Sequence, residues 1–202
     1  MRHRSPLALI LLAGLALALS GAWAAPASAQ YQPPPAAGEQ QNGGFTAEEI
    51  KDAGHRFFGG VSRGLALAVE EIFSRYGRPN GYILGEEAGG ALFGGLRYGE
   101  GVMYTRNAGT HKVFWQGPSI GWDIGADGDR TMILVYNLTS TDDIYGRFGG
   151  VAGAAYFIGG IGFTVMSREE MLIAPIRAGI GARLGVNVGY LKFTPDATWN
   201  PF

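Results

Sequence analysis

A chain of 202 residues suits one domain with extensions. It contains no cysteine, which excludes disulfides, thiolate metal ligands, a cysteine nucleophile and a lipid-modified N-terminal cysteine. With 16 basic and 17 acidic residues the formal net charge is −1, too mild for nucleic-acid binding or strong attraction to anionic lipid.

The start of the chain reads as an address rather than as fold. Met1 to Arg4 is basic, Leu7 to Leu19 is an apolar run, and Ala27-Ser28-Ala29 has a small-x-small cleavage pattern, with Ala22-Trp23-Ala24 as the alternative. That order is a secretory signal peptide over residues 1–29, cleaved near Ala29. The apolar run falls short of the ~20 residues a retained membrane helix needs. Removing 29 of 202 residues leaves 173 and takes Arg2 and Arg4 but no acid. Residues 30–44, QYQPPPAAGEQQNGG, are a Pro- and Gln-rich disordered or extended leader. The remainder, 45–202, is expected to form one domain, long enough for a self-sufficient core.

Two helices come next. Thr46-x-x-Glu49 is a capping box, and Phe45 can staple against Ile50. The first helix is predicted over Ala47 to Phe58, ended by Gly59-Gly60. In the second, Val61, Leu65, Ala68, Val69, Ile72, Phe73 and Tyr76 make one apolar stripe. Gly77 and Pro79 stop it.

From Gly81 the period becomes two. Tyr98, Val102 and Tyr104 alternate with Gly99, Gly101 and Met103; Ile120, Trp122 and Ile124 with Gly121, Asp123 and Gly125; Val186 and Val188 with Gly185, Asn187 and Gly189. Such alternation marks sheets with one buried face. Met132–Tyr136 and Ala155–Met166 are apolar on both faces and read as central strands. Turns are expected at Asn107-Ala108-Gly109, Gly117-Pro118, Asp127-Gly128-Asp129 and Ser167 to Glu170. A helical turn is expected from Ser140 through Phe148. The Pro-punctuated tail from Thr194 to Phe202 is expected to pack back across the sheet. The 34 glycines sit among aromatic and β-branched residues, which points to bends and close backbone contacts in strands. The fold class is therefore mainly β with N-terminal helices (α+β). Its expected form is a small Gly-rich antiparallel β-barrel or sandwich of seven to nine strands, packed against an amphipathic helix that plugs or covers one opening.

Catalytic patterns fail one by one. His55 and His111 are isolated, with no His-Glu-x-x-His helix, so no metal or zinc cofactor is expected. No Gly-x-Ser-x-Gly elbow occurs, and Ser119 has no base near it in sequence. Asp123, Asp127 and Asp129 lack the distal Glu of a calcium loop and read as an Asp-Gly turn. Gly179, Gly181 and Gly185, like Gly159, Gly160 and Gly162, lack the Lys-Ser/Thr of a phosphate-binding loop. No catalytic residue and no cofactor is assigned. The candidate ligand-binding residues are aromatic: Tyr98, Tyr104, Trp115 and Trp122. They line an apolar pocket or lipid-facing patch, or else fill the core of a barrel this small. An outer-membrane barrel is disfavoured, because Pro195, Asp196 and Pro201 interrupt what would be its last strand.

The segments KVFWQGPSIGWDIGADGDRTMILVYNL, DDIYGRFGGVAGAAYFIGGIGFTV and APIRAGIGARLGVNVGYLKFTPDATWNPF resemble the EipA family of alphaproteobacterial periplasmic envelope integrity proteins. The resemblance runs from about Ala47 to Phe202. It implies a periplasmic domain with a small β-barrel and flanking helices, and a role in maintaining the cell envelope. It supplies no catalytic residues. Trp115-x-x-Pro118-Ser119 with Gly121-x-x-Ile124-Gly125 is more weakly similar to the core of the SYLF lipid-binding domain. Here Asp123 stands where that family usually has Gln, and a helix of mixed charge replaces its basic one. The expected function is non-enzymatic support of envelope integrity, through an envelope component or periplasmic partner protein. A carrier of lipid or a small apolar ligand is the alternative.

Overall fold

The computed structural model describes residues 43–60, 62–90, 95–118, 129–178, 189–198 and 200. The signal peptide, the leader up to residue 42, the predicted strands around Trp122 and Val186, and the turn at Asp127-Gly128 lie outside the described residues.

Helix α1 spans Ala47–Phe58. Thr46 and Glu49 form the predicted capping box: the Glu49 amide donates to Thr46 Oγ1 (3.2 Å) and the Thr46 amide to Glu49 Oε2 (2.7 Å). Gly59 ends the helix at φ +84°, a left-handed conformation that suits glycine. Helix α2 spans Arg63–Tyr76, with Ser62 accepting from the Leu65 amide. Its stripe of Leu65, Ala68, Val69 and Ile72 is fully buried.

Eight strands follow: β1 Gly81–Gly90, β2 Leu96–Thr105, β3 Thr110–Pro118, β4 Asp129–Tyr136, β5 Gly146–Ile158, β6 Ile161–Arg168, β7 Met171–Ala178 and β8 Tyr190–Thr194. All pairings are antiparallel, and they close in the order β1-β2-β3-β8-β5-β6-β7-β4. The sheet is thus a closed barrel, not a sandwich. The short β8 seals it, pairing with β3 only over Phe114–Gln116 and with β5 over Gly146–Gly149. At the β5–β6 tip both Gly159 (φ +59°) and Gly160 (φ +87°) are left-handed, as a two-residue hairpin of the favoured twist requires.

Four local expectations change. The apolar run Ala155–Met166 is two strands rather than one: β5 ends at Ile158, Gly159 and Gly160 turn, and β6 begins at Ile161. The helical turn after Ser140 is a single 3-10 turn, Thr141–Ile144, and Phe148 already belongs to β5. Gly117 and Pro118 do not turn; they pair with Arg97 and Leu96 as the end of β3. Proline is tolerated at a strand end, and a β-carbon at Gly117 would meet the Tyr190 carbonyl oxygen at 2.2 Å. The amphipathic helix, moreover, does not plug an opening. β4 is buried along both faces from Thr131 to Tyr136. Ile133 and Val135 point into the barrel core, so Met132, Leu134 and Tyr136 point outward. On that outer side the Tyr136 ring lies 6.2 Å from Tyr76 of α2, and Arg130 Nη1 donates to the Phe57 carbonyl of α1 (3.0 Å). The helices therefore cover the wall formed by β4, β5, β6 and β7.

Inside, Ile83, Met103, Val113, Trp115, Phe148 and Phe193 belong to one continuous cluster. The faces of β2 are the reverse of those its side chains suggest. Gly99, Gly101 and Met103 face inward, and Val102, at 36% exposed, faces out. Gly99 of β2 and Gly85 of β1 are inside because the Trp115 indole lies on them, whereas a β-carbon at Gly101 would meet the Leu84 carbonyl oxygen at 2.5 Å. A β-carbon at Gly99 would be 2.2 Å from Trp115 Cε2, and one at Gly85 2.7 Å from its Cη2.

Candidate functional site

The same inner face carries one charged cluster. Glu87 of β1 sits two residues beyond Gly85 and pairs in register with Gly99, which in turn pairs with Trp115. Trp115 Nε1 donates to Glu87 Oε2 at 2.8 Å. Arg177 of β7 donates from Nε to Oε1 and from Nη2 to Oε2, both at 3.1 Å, a two-pronged grip. Arg97 of β2 places Nη1 3.7 Å from Oε1. Glu87 is 8% exposed and Arg97 3%. Burial pushes the Glu87 carboxyl up, but the charges of Arg177 and Arg97, with the hydrogen bonds from Arg177 and Trp115, outweigh it and hold the pKa at about 2. The group stays ionised at neutral pH and acts as a tie between four strands, not as a proton shuttle. Nothing in the sequence pattern singled out Glu87, Arg97 or Arg177. The available signal was an acid at an inward strand position between Gly85 and Gly89.

Beyond this cluster lies a cavity of about 340 Å³ on the β1–β2–β3 wall. Alternation puts Glu86, Tyr98, Glu100, Phe114 and Gln116 on the outer face here, since Glu87, Gly99 and Trp115 face in. Ala197 and Thr198 of the C-terminal segment form its far side, and Lys192 Nζ donates to the Asn200 carbonyl at 3.2 Å. The described part of the tail thus folds back over the sheet, as its composition suggested. Gln116 is only 1% exposed, and among the described residues its Nε2 has no hydrogen-bond partner.

Of the four aromatic candidates, Trp115 and Tyr98 both line this cavity, although Trp115 is also fully buried core. Tyr104 lies on the same strand and face as Tyr98 but six residues, ~20 Å, further along. It stacks on Tyr82 with ring centroids 5.0 Å apart, and Tyr82 in turn meets Phe45 edge-on at 4.9 Å. Trp122 lies outside the described residues, as do Ser119, Asp123, Asp127 and the glycines from Gly179 to Gly185. A second cavity of about 130 Å³ adjoins Asn80, Thr105 and Arg106. Its arginine is already committed to Glu49 at 3.0 and 2.6 Å. His111 Nε2 lies 2.8 Å from the Ala108 carbonyl oxygen. Among the described residues no group of three His, Asp or Glu is placed to hold a metal ion, and no helix is long and apolar enough to cross a membrane.

Comparison with known proteins places this barrel. No curated protein matches the chain. A crystal structure of a β-barrel-like, uncharacterized protein from Brucella abortus is similar, at 60% identity and a TM-score of 0.74, covering 79% of this chain and 99% of that one. The model of the envelope integrity protein A family matches residues 43–202, which takes in both helices and all eight strands. The chain belongs to the envelope integrity protein A family.

Proposed function

We propose that this is a non-enzymatic periplasmic protein that supports cell-envelope integrity by binding an envelope component or a partner protein. Family membership supports the envelope role. The basic, apolar and small-residue order of residues 1–29 supports export with cleavage near Ala29. The observation that carries the mode of binding is the packed inner face. Among the described residues Trp115, Phe148, Phe193 and their neighbours pack the inner face as one core, which favours a ligand on the outside of the barrel over one in its lumen. The contact surface is the outer-wall cavity lined by Tyr98 and Phe114. A carrier that encloses a lipid within the barrel is the weaker reading, because the described inner face packs as core.

The test is complementation of a strain lacking the gene, scored by survival in detergent. The full chain restores survival, and a chain without residues 1–29 does not. Equal rescue by the unexported chain would refute a periplasmic role.

A further inference from the structure

We propose that the cavity beneath the C-terminal segment binds a basic peptide segment of an envelope protein, one that presents a lysine or arginine beside an apolar residue. This rests on the partner-binding reading above and names the partner's chemistry. Three features of the cavity converge on it.

The walls are apolar: Phe114, Tyr98 and Ala88. The mouth is acidic. Glu86 and Glu100 stand directly opposite each other on β1 and β2, both exposed on the outer face. Like charges so placed repel by ~0.2–1 kcal/mol. Lys112 lies 3.1 Å from Glu100 and offsets one of them. Among the described residues Glu86 has no ion-pair partner. Arg130, its neighbour in register on β4, donates Nη1 to the Phe57 carbonyl. A cation at the mouth, next to Glu86, removes that repulsion and gains an opposite charge.

The third feature is Gln116. The residue lines the cavity, and its buried Nε2 is a donor without a hydrogen-bond partner among the described residues. A buried donor without an acceptor costs ~1–3 kcal/mol, so the free protein is less stable than an apolar residue there would make it. The acceptor every peptide carries is a backbone carbonyl. Ala197 and Thr198 already line one side, so polypeptide fits against this face and a second segment can lie beside it. At about 340 Å³ the cavity sits near the lower end of the ~300–1,000 Å³ typical of ligand sites. That suits a short peptide stretch better than a two-chain lipid.

The test is an NMR titration of the exported protein with N-acetyl-Leu-Lys-Phe-amide. The same peptide with Glu in place of Lys, and phosphatidylethanolamine vesicles, serve as comparisons. The lysine peptide shifts the amides of Tyr98, Phe114 and Gln116, and the glutamate peptide leaves them unmoved. Glu86→Gln weakens lysine-peptide binding about three- to tenfold, as expected for loss of one partly desolvated charge contact. Gln116→Leu weakens it about tenfold while raising the unfolding midpoint, because the unmatched donor is gone. A merely structural glutamine would show a lowered midpoint and unchanged affinity. Absent shifts at these amides, equal binding of the glutamate peptide, or a response to the vesicles alone would overturn the proposal. If both variants still cross-link to a partner in cells, this site is wrong and the broader reading stands. If the wild type captures nothing, the broader reading falls with it.

Discussion

Gly99 and Trp115 act as one unit: the indole occupies the space a side chain at position 99 would need. Gly99→Ala forces the ring or the strand to move, and overpacking of this kind costs about 1–3 kcal/mol. Gly149 on β5 is the opposite case. A β-carbon there would meet nothing within 4 Å, and its φ is not left-handed. Gly149→Ala is therefore neutral or gains up to ~1 kcal/mol from reduced backbone freedom. Urea midpoints of the two variants check the contrast. Glu87 gives a pH-dependent prediction. Its folded pKa of about 2 lies below the ordinary 4.5, so its stabilisation is fully present above 4.5 and fades as pH falls through about 2. That difference corresponds to about 3 kcal/mol at neutral pH. Glu87→Gln loses a similar amount at pH 7, and urea titrations show the gap to wild type closing only as the solution is acidified through that range. None of this was readable from the strand alternation. Large residues on one side and glycines on the other suggest that the large side is the core. Here Gly99 is inside because Trp115 from the next strand fills the space above it.

The helices were the most legible elements, since their signals are local: the Thr46–Glu49 box, the Leu65–Ile72 stripe and Gly77 all do what their spacing predicts. Thr46→Ala removes the cap and costs about 1 kcal/mol, measurable by thermal unfolding. Where α2 docks was not legible, because an apolar stripe does not say which surface it meets. Gly64 records the answer. A β-carbon there would stand 2.2 Å from the Gly159 carbonyl oxygen at the β5–β6 tip. Gly64→Ala gains up to ~1 kcal/mol in helix propensity but pushes against backbone that no rotamer change can clear. The clash wins, and the variant unfolds at lower urea than wild type. An unchanged or raised midpoint would mean that α2 does not lie against this hairpin.

At the scale of the whole molecule, a many-stranded antiparallel sheet was legible and its closure was not. Pairs such as Ile83 with Ile133 and Trp115 with Phe193 join distant parts of the chain, and nothing in the sequence period distinguishes a barrel from a sandwich. The charged tie among Glu87, Arg97 and Arg177, distributed over β1, β2 and β7, was invisible for the same reason. In the proposed reading the outer wall of the closed barrel does the binding, and Tyr98 and Tyr104 then differ in role although they share a strand and a face. The decisive measurement is photo-crosslinking in living cells, with a photoreactive amino acid placed at position 98 or at position 104. The outer-wall account predicts a covalent adduct with an envelope component from position 98 and none from position 104. No adduct from position 98, or equal adducts from both, would contradict it.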